Sequence, residues 1–408
     1  MPLAVLHLLV PKKHDRYYRT VMIRTSFDLP PEPNSDSVKW QFARRISDSL
    51  EPYWVADMDF AAPEPVVDAV RKRLENRLLG YTFAREELYT SFAEWLETRI
   101  GTRPASHWCM LPGVMAGVRA AVSLYTRPGD SVIVQTPVYF PFMDAVEGQG
   151  RTLVVNELRH DGNRYRFDFE SLETAAAAGA RLFLLCSPHN PVGRVWAAEE
   201  LQQLVDVCRR YGVLLVSDEI HGDLVMSGYR FVPTRGVDCR GLRLLTLSSA
   251  TKSFNIPGLP SAIASSDDES IIRTIRDRMH RIGADTQNAL TLTAVEAAYR
   301  SGAEWLDAVL SYIADNERAV RALFDAGRLP VRIEPLEGTY LLWIDCTRLS
   351  SDDVTLRAEL QKRADAWLVE GSKFGSGGEG HLRMNIAAPK DRIVAATERI
   401  VAVLEDIS

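Results

Sequence analysis

The sequence predicts an α/β fold in which helices cover both faces of a mostly parallel sheet, together with a smaller α+β domain. Between about residues 130 and 250, apolar runs without two-residue alternation recur between helical patterns, which is typical of strands buried on both faces. After about residue 300 the pattern changes to long amphipathic stretches, one probable strand and a Gly-rich loop. A chain of 408 residues is long enough for two domains.

We place the large domain at residues 61–299 and assemble the small domain from residues 22–60 and 300–408. Residues 1–21 form an N-terminal extension or arm with the apolar stretch "LAVLHLLV". This stretch is too short to span a bilayer and no positive residue precedes it, so we expect neither a membrane helix nor a signal peptide. It is either dispensable or an arm that packs on a partner subunit.

The composition argues against several classes of function. Acidic and basic residues are interspersed and the formal net charge is -6, so no basic field is offered to a nucleic acid or an anionic membrane. The five cysteines are far apart in sequence and form no C-x-x-C pair, so we expect no metal site and no disulfide framework. We therefore expect a cytoplasmic protein without nucleic-acid or membrane partners.

Four apolar runs are the predicted parallel strands, namely "SVIVQTP", "RLFLLCSP", "VLLVSDE" and "RLLTLSSATK". A helix is predicted between the second and third runs, because Leu201, Leu204, Val205 and Cys208 recur at helical spacing. Gly212 stands where a helix stop is expected. The three elements form a predicted βαβ unit.

Residues that carry chemistry follow each of these runs: Thr136-Pro137, Ser187 to Pro191, Asp218-Glu219, and Ser248 to Lys252. Ligands of open parallel sheets bind outside the carboxyl ends of the strands, so we expect the four ends to converge on one crevice. A carbonyl cofactor such as pyridoxal phosphate needs a lysine for a Schiff base, a carboxylate beside its ring nitrogen and a donor to its phenolic oxygen. Lys252, Asp218 and Asn190 could supply these groups.

Seven motifs occur in order along the chain, namely "YWVADMDF" (53–60), "GYT" (80–82), "TPVYFPF" (136–142), "SPHNPVGRVW" (187–196), "SDEIHGDLV" (217–225), "SSATKSFNIPGL" (248–259) and "HLRMNIAAP" (381–389). In this order they resemble fold-type I pyridoxal-phosphate enzymes of the class I/II aminotransferase family. Within that family they resemble the cystathionine β-lyase or cysteine-S-conjugate β-lyase (C-S lyase) branch. The resemblance runs from about residue 25 to the C-terminus and implies the aminotransferase-like fold type I.

The resemblance assigns the groups that would hold pyridoxal 5'-phosphate. Lys252 resembles the Schiff-base lysine, Asp218 the partner of the pyridine nitrogen and Asn190 the donor to the phenolate oxygen. Tyr139 resembles the aromatic residue that stacks on the ring, and His221 is expected beside the cofactor.

The phosphate is expected at the start of a helix, at the backbone amides around Gly113, Val114 and Met115, because helix N-termini bind anions. Ser249 resembles the family's phosphate-binding serine.

Two positions are expected to bind the substrate. Arg383 resembles the arginine that binds the substrate α-carboxylate, for which its bidentate fork is suited, and Ala56 is expected to contact the substrate. Tyr81 resembles a tyrosine that reaches the cofactor and substrate of the neighbouring subunit, so the resemblance implies a homodimer with shared active sites. Tyr81 and Tyr139 are expected to assist Lys252 in catalysis.

Two departures from the aminotransferase pattern favour elimination over transamination. Pro260 stands where many aminotransferases have a basic phosphate ligand, and His221 stands where they often have a tyrosine. Both changes are usual in the β-lyase branch. They leave the neutralisation of the phosphate to other groups, with Ser248, Ser249, Thr251 and Tyr81 as candidates.

The sequence therefore predicts a pyridoxal-phosphate C-S β-lyase that converts cystathionine-like or S-substituted cysteine substrates to a thiol, pyruvate and ammonia. One alternative is an aminotransferase on the same scaffold. Another is a diverged biosynthetic enzyme that acts on a larger cysteine conjugate, including one that couples decarboxylation to oxidation. A regulatory role through a protein partner is compatible with each of these enzyme activities.

Overall fold

The structure is a computed structural model that describes residues 23–408 except residues 25 and 35. The predicted extension at residues 1–21 lies outside the described residues. The helices are α1 Val38–Arg44, α2 Glu64–Glu75, α3 Glu86–Trp95, α4 Val114–Tyr125, α5 Pro141–Glu147, α6 Phe169–Ala177, α7 Ala198–Tyr211, α8 Ala250–Ser253, α9 Glu269–Arg281, α10 Ala289–Ser301, α11 Ala303–Ala326, α12 Asp353–Arg363 and α13 Lys390–Ile407. A π-helical turn, Leu96–Ile100, extends α3, and single 3-10 turns span Thr234–Gly236 and Gly371–Phe374.

The strands fall into two principal sheets and two short pairs. They are β1 Glu51–Pro52, β2 His107–Leu111, β3 Ser131–Val134, β4 Thr152–Val155, β5 Arg159–His160, β6 Tyr165–Arg166, β7 Leu182–Cys186, β8 Leu214–Asp218, β9 Leu244–Ser248, β10 Ala262–Ser266, β11 Arg332–Ile333, β12 Leu341–Asp345, β13 Ala366–Trp367, β14 Val369–Glu370 and β15 His381–Asn385.

The large sheet has the order β2-β10-β9-β8-β7-β3-β4. Only β10 runs antiparallel to its neighbours. Every residue of β7 and β8 is buried, which explains why their sequences show no polar alternation. The prediction of a mostly parallel α/β sheet is confirmed, and the four predicted runs are β3, β7, β8 and β9.

Two glycines set the positions of helices against this sheet. Helix α7 ends at Gly212, whose φ of 67° lies in the left-handed region that favours glycine. Helix α4 packs so closely on the sheet that a Cβ atom on Gly117 would lie 2.7 Å from the Leu247 side chain. This close approach holds the N-terminus of α4 over the carboxyl ends of the strands.

A second, antiparallel sheet has the order β11-β12-β15-β14. Strand β1 pairs in parallel with β13, so residues 51–52 lie beside residues 366–367 of the C-terminal region. The division at residues 60 and 300 into two domains stays a prediction.

The segment 54–60, which we call the crossing segment, leads from β1 toward α2 and is held by Asn255. The Asn255 side chain accepts a hydrogen bond from the Met58 amide (3.0 Å) and donates to the carbonyls of Met58 (3.0 Å) and Phe60 (2.7 Å). Asn255 itself has a φ of 51°, a conformation that Asn tolerates better than most residues. It therefore bends the chain after α8 and fixes the crossing segment at the same time.

We expect Asn255→Ala to lower the free energy of unfolding by about 3 kcal/mol, since three hydrogen bonds are lost and Ala tolerates the left-handed conformation less well than Asn. Asn255→Gly loses the same hydrogen bonds, but glycine adopts the left-handed conformation freely. The Gly variant should therefore be more stable than the Ala variant by up to about 1 kcal/mol. Urea denaturation followed by circular dichroism measures both. Two variants as stable as the parent protein would contradict this role.

Candidate active site

The carboxyl ends of β3, β7, β8 and β9 meet at one cavity of about 470 Å³. The residues that line it come from these strand ends, the start of α4, the crossing segment and β13 to β15; they are Trp54, Val55, Ala56, Gly113, Val114, Met115, Tyr139, Phe140, Cys186, Asn190, Asp218, Ile220, His221, Lys252, Trp367, Leu368, Val369, Glu370, Lys373 and Arg383. The predicted convergence of the strand ends is thus present.

Lys252 lies on the single turn of helix α8, directly after β9. Its Nζ donates a hydrogen bond to the carbonyl of Ala56, which also accepts one from the hydroxyl of Tyr340 (2.9 Å). Burial lowers the pKa of Lys252 to about 8, while the charge of Asp57 opposes this shift. The lowered pKa raises the neutral fraction of the amine near physiological pH, and the neutral form is the one that acts as a nucleophile or base.

Asp218 is the last residue of β8, between β7 and β9 in the middle of the sheet. One carboxylate oxygen accepts a hydrogen bond from the Ile220 amide (3.0 Å). Burial raises the pKa of Asp218 to about 7, and the Ile220 bond and the charge of Lys252 only partly offset the shift. A buried carboxylate with this little compensation is suited to a cationic or proton-donating partner in the cavity.

Arg383, at the centre of β15, is buried and is bound on two sides. It donates to the Asn190 side-chain oxygen (3.0 Å) and to the carbonyl of Trp54 (2.6 Å), and its guanidinium lies 4.9 Å from the centre of the Phe374 ring. Its Nε is buried without a hydrogen-bond partner among the described residues. Burial lowers the pKa of Arg383 to about 10, so the group stays cationic near neutral pH and is suited to binding a carboxylate.

Asn190 and Tyr139 are linked through the backbone, because the Tyr139 amide donates to the Asn190 carbonyl (3.0 Å). The Asn190 side-chain oxygen is used by Arg383, which leaves its NH2 group to donate to a ligand. His221 is buried at the same cavity, and its Nδ1 has no partner among the described residues. Burial, with the charges of Lys252 and Arg383, lowers the pKa of His221 to about 3, so its ring is neutral.

The predicted phosphate-binding residues divide into two groups. Gly113, Val114 and Met115 line the cavity at the start of α4. Ser249 does not line it: its hydroxyl caps α8, accepts from the Thr251 amide (3.1 Å) and donates to the Ser261 carbonyl (2.7 Å). The phosphate role of Ser249 therefore stays a prediction, and it would require this hydroxyl to exchange partners.

Tyr81 does not line the cavity of its own chain, and 98% of its surface is exposed. Other large apolar side chains of the same segment are exposed as well, namely Leu78, Leu79 and Phe83. This placement is compatible with the predicted contact to a second subunit. The role of Tyr81 stays a prediction.

Several aromatic residues in or beside the cavity were not anticipated from the sequence. Trp54 and Trp367 stack with ring centres 5.0 Å apart. Tyr340 reaches the carbonyl that also holds Lys252. The quoted motif "YWVADMDF" contains Trp54, but nothing in the sequence indicates that Trp367, far away in the chain, stacks on it.

The cavity has the groups that pyridoxal 5'-phosphate requires. It joins an amine of lowered pKa, a poorly compensated carboxylate, an amide donor and a helix N-terminus, together with unsatisfied polar atoms on His221 and Arg383. These groups fit a planar ring that carries a carbonyl, a basic nitrogen and a phosphate.

No group of three or more His, Cys, Asp or Glu side chains among the described residues could hold a metal ion. None of the helices in that part of the chain is long and apolar enough to cross a membrane.

Residues 55–400 match the family described as Aminotransferase class I and II. The chain is 35% identical to the cystathionine beta-lyase PatB of Bacillus subtilis over 377 residues, which are 91% of this chain and 97% of that protein.

Two solved structures are similar over nearly their whole length. One is cystalysin from Treponema denticola, which contains a pyridoxal 5'-phosphate cofactor (TM-score 0.90, 31% identity, 94% of this chain and 100% of that one). The other is a PLP-bound C-S lyase from Staphylococcus hominis (TM-score 0.86, 29% identity, 93% of this chain and 97% of that one).

We expect Asp218→Asn to stabilise the protein once bound small molecules have been removed. The folded-state pKa of Asp218 lies above its unfolded value, so the native protein loses stability as the pH rises from about 4 through 7. The variant avoids this loss and should gain about 2 kcal/mol at pH 8 but much less at pH 5. Urea denaturation at both pH values measures the difference, and an equal gain at both would show that the buried charge is not its cause.

Proposed function

The chain belongs to the class I and II aminotransferase family, and from this membership we propose that it is a pyridoxal-phosphate-dependent carbon-sulfur β-lyase. The proposed reaction takes an S-substituted cysteine and water to a thiol, pyruvate and ammonia. The observation that carries the proposal is the convergence of Lys252, Asp218, Asn190 and Arg383 on one cavity. The relatives named as cystathionine β-lyase and C-S lyase support this reaction over others on the same scaffold.

The cofactor, when bound, supplies a carbonyl carbon that combines with an amine and a ring that accepts the electron pair left on the substrate Cα. Lys252 would provide the amine that holds it. Asp218 would keep the ring nitrogen protonated, since a buried carboxylate gains most from a cationic neighbour. Asn190 would donate to the phenolic oxygen, Tyr139 and His221 would lie beside the ring, and the amides of Gly113 to Met115 would bind the phosphate.

Arg383 would bind the substrate α-carboxylate, assisted by the Ala56 backbone, and so fix which bond of Cα faces Lys252. With the substrate held there, Lys252 Nζ would act as the base that removes the Cα proton. A pKa of about 8 suits this step, because a general base works best when its pKa is near the operating pH. Departure of the β-thiolate then completes the elimination.

We also propose a homodimer in the cytoplasm, with Tyr81 of each subunit serving the other subunit's site. The exposed apolar side chains around Tyr81 support an interface there, because such surface is otherwise a liability in water. All five cysteines are unpaired, which fits a reducing compartment.

We expect the purified protein to show the visible absorbance of a lysine-bound cofactor and to release pyruvate from cystathionine without any 2-oxo acid. Lys252→Ala should lose that absorbance and about 10⁴-fold in kcat, the upper range for loss of a general base. Absorbance spectroscopy and a coupled pyruvate assay measure the two effects.

A matched control is Lys362→Ala, which removes an exposed lysine of α12 and should leave both signals unchanged. A parent protein that stays colourless after incubation with the cofactor would overturn the proposal. Turnover only in the presence of a 2-oxo acid would instead indicate an aminotransferase.

We expect Lys252→Ala and Tyr81→Ala to complement each other if subunits share their sites. Each variant alone should be nearly inactive, since each lacks one residue in both sites. After subunit exchange, half of the dimers are hybrids with one intact site of two, so about one quarter of the parent activity should return. The two variants are mixed under mildly denaturing conditions, returned to native buffer and assayed for activity. If no activity returns, or if analytical ultracentrifugation shows a monomer, the two subunits do not share a site.

A further inference from the structure

Lys39, on helix α1, is a buried lysine that the proposed chemistry does not use. Only 3% of its side chain is exposed, and it does not line the cavity. Its Nζ lies 2.7 Å from Asp57 Oδ1 and 3.0 Å from Asp59 Oδ1, and it donates a hydrogen bond to the Asp57 carbonyl (3.2 Å). Lysine is almost never buried to this extent unless it is paired, so the two carboxylates account for its burial.

The backbone of the crossing segment joins Lys39 to Lys252. Ala56, which precedes Asp57, carries the carbonyl that accepts the hydrogen bond of Lys252 Nζ. Asn385 donates to the carbonyls of both neighbours of Ala56, each at 2.6 Å, and Lys39 donates to the second of them. The carbonyl beside Lys252 thus lies between two peptide groups that are themselves held, and Lys39 is one of the residues that hold them.

The charges of Lys39 and Asp57 act on Lys252 in opposite directions. Asp57 raises the pKa of Lys252 and has the largest effect of the charged groups around it, whereas Lys39 lowers that pKa. Asp57 therefore favours the protonated amine more than any other group does. Lys39 is bound directly to this carboxylate and opposes its effect.

Other titratable or charged groups lie on the remaining elements around Lys252. They are Arg383 on β15, Asp218 and the neutral His221 at and after the end of β8, Cys186 on β7 and the hydroxyls of Tyr139 and Tyr340, whose pKa values burial raises, and the ion pair of Glu370 and Lys373 in the cavity wall. None of these groups is changed by a substitution at residue 39 or 57, so such substitutions test Lys39 and Asp57 alone.

The surroundings of the two carboxylates let them stay charged when Lys39 is removed. Asp59 keeps Arg392 Nη2 (3.2 Å) and Trp40 Nε1 (3.1 Å) as donors. The Asp57 side chain is 27% exposed, so water can replace the lysine there. Without Lys39, Asp57 would therefore act on Lys252 unopposed.

We propose that Lys39 is a positioning residue for Lys252: it holds Asp57, and with it the adjoining Ala56 carbonyl, beside the amine, and its charge offsets the carboxylate that favours the protonated amine. This inference deepens the proposed function and rests on it, since Lys252 must be neutral to combine with the cofactor or to accept a proton.

A purely structural role for Lys39 is the competing interpretation. Its ion pairs would then only fasten α1 to the crossing segment, and their loss would lower the stability of the fold without shifting the protonation of Lys252 in a direction set by charge. The two interpretations differ for a substitution that keeps the charge at residue 39 and for removal of the opposite charge at residue 57.

The test measures the protonation of Lys252 in the full-length protein after bound small molecules have been removed. Only the neutral amine reacts with acetic anhydride, so trace acetylation of the Lys252 peptide at a series of pH values, followed by mass spectrometry, gives its pKa. We expect Lys39→Met to raise this pKa by about 1 and Asp57→Asn to lower it by about 1, because nearby charges change a pKa by this amount or more. Acetylation at pH 7 should then be about tenfold slower in Lys39→Met than in the parent.

Two further variants separate charge from structure. Lys39→Arg keeps the cation and should leave the pKa of Lys252 close to the parent value. Lys362→Met removes an exposed lysine of α12 and should leave it unchanged. Shifts in the same direction for Lys39→Met and Asp57→Asn, no shift in either, or an equal shift in Lys39→Met and Lys39→Arg would overturn the proposal.

The outcome for Lys39 is independent of the outcome for the lyase. The acetylation titration needs neither turnover nor cofactor. A cofactor-loaded parent protein that releases no pyruvate from cystathionine would overturn the lyase activity alone, and the titration would still decide whether Lys39 and Asp57 control the protonation of Lys252.

Discussion

The burial of charge at the ends of the parallel strands is the constraint on which the rest of this site depends. Asp218, Lys252 and Arg383 lie in surroundings that disfavour their charged forms, and burial is the largest cause of each pKa shift. Such groups are unfavourable for stability unless partners compensate them. The protein supplies only part of that compensation itself, and a bound ligand with charges of its own would supply the remainder. Because the buried charges destabilise the free protein and are compensated when a ligand is bound, part of the binding free energy comes from that compensation.

Holding these groups in place requires a backbone that does not move, and the crossing segment provides it. Asn385 donates to the carbonyls of Val55 and Asp57, both at 2.6 Å, and Lys39 forms ion pairs with Asp57 (2.7 Å) and Asp59 (3.0 Å). Side chains from the small sheet, from helix α1 and from the loop after α8 thus bind neighbouring residues of the crossing segment. Displacement of either sheet would be transmitted to the carbonyl that holds Lys252.

The sequence was sufficient for the parallel sheet and for the inner part of the cavity, and the reason is local. Uninterrupted apolar runs indicate strands that are buried on both faces. A polar or charged residue that can take part in the chemistry follows each run, so the parallel topology alone predicts that Asn190, Asp218 and Lys252 lie together. Side chains that meet only through tertiary packing were not accessible in this way. Trp367 stacks on Trp54 because β13 pairs with β1, and no periodicity in either segment encodes that pairing.

The motifs assign a serine to the cofactor phosphate by resemblance, but they do not indicate which hydrogen bonds its hydroxyl already makes. Ser249 was assigned to the phosphate by resemblance, yet its hydroxyl is already bonded to Thr251 and Ser261. Short polar side chains at a helix start have two competing uses, capping the helix and binding a ligand, and the geometry of the loop determines which one is satisfied.

The cavity therefore has two chemically different regions, and each region affects a different property of the proposed reaction. Its inner region concentrates buried charge, which strengthens electrostatic interactions with a substrate carboxylate because water is largely excluded. Its outer region combines stacked indoles with the ion pair of Glu370 and Lys373, in which solvent screens the exposed Lys373 ammonium more than the buried Glu370 carboxylate. Differences in the inner region would change the rate of bond breaking, whereas differences in the outer region would change which thiol is released. Separation of these two functions along one cavity would let relatives with the same inner residues act on different sulfur substituents.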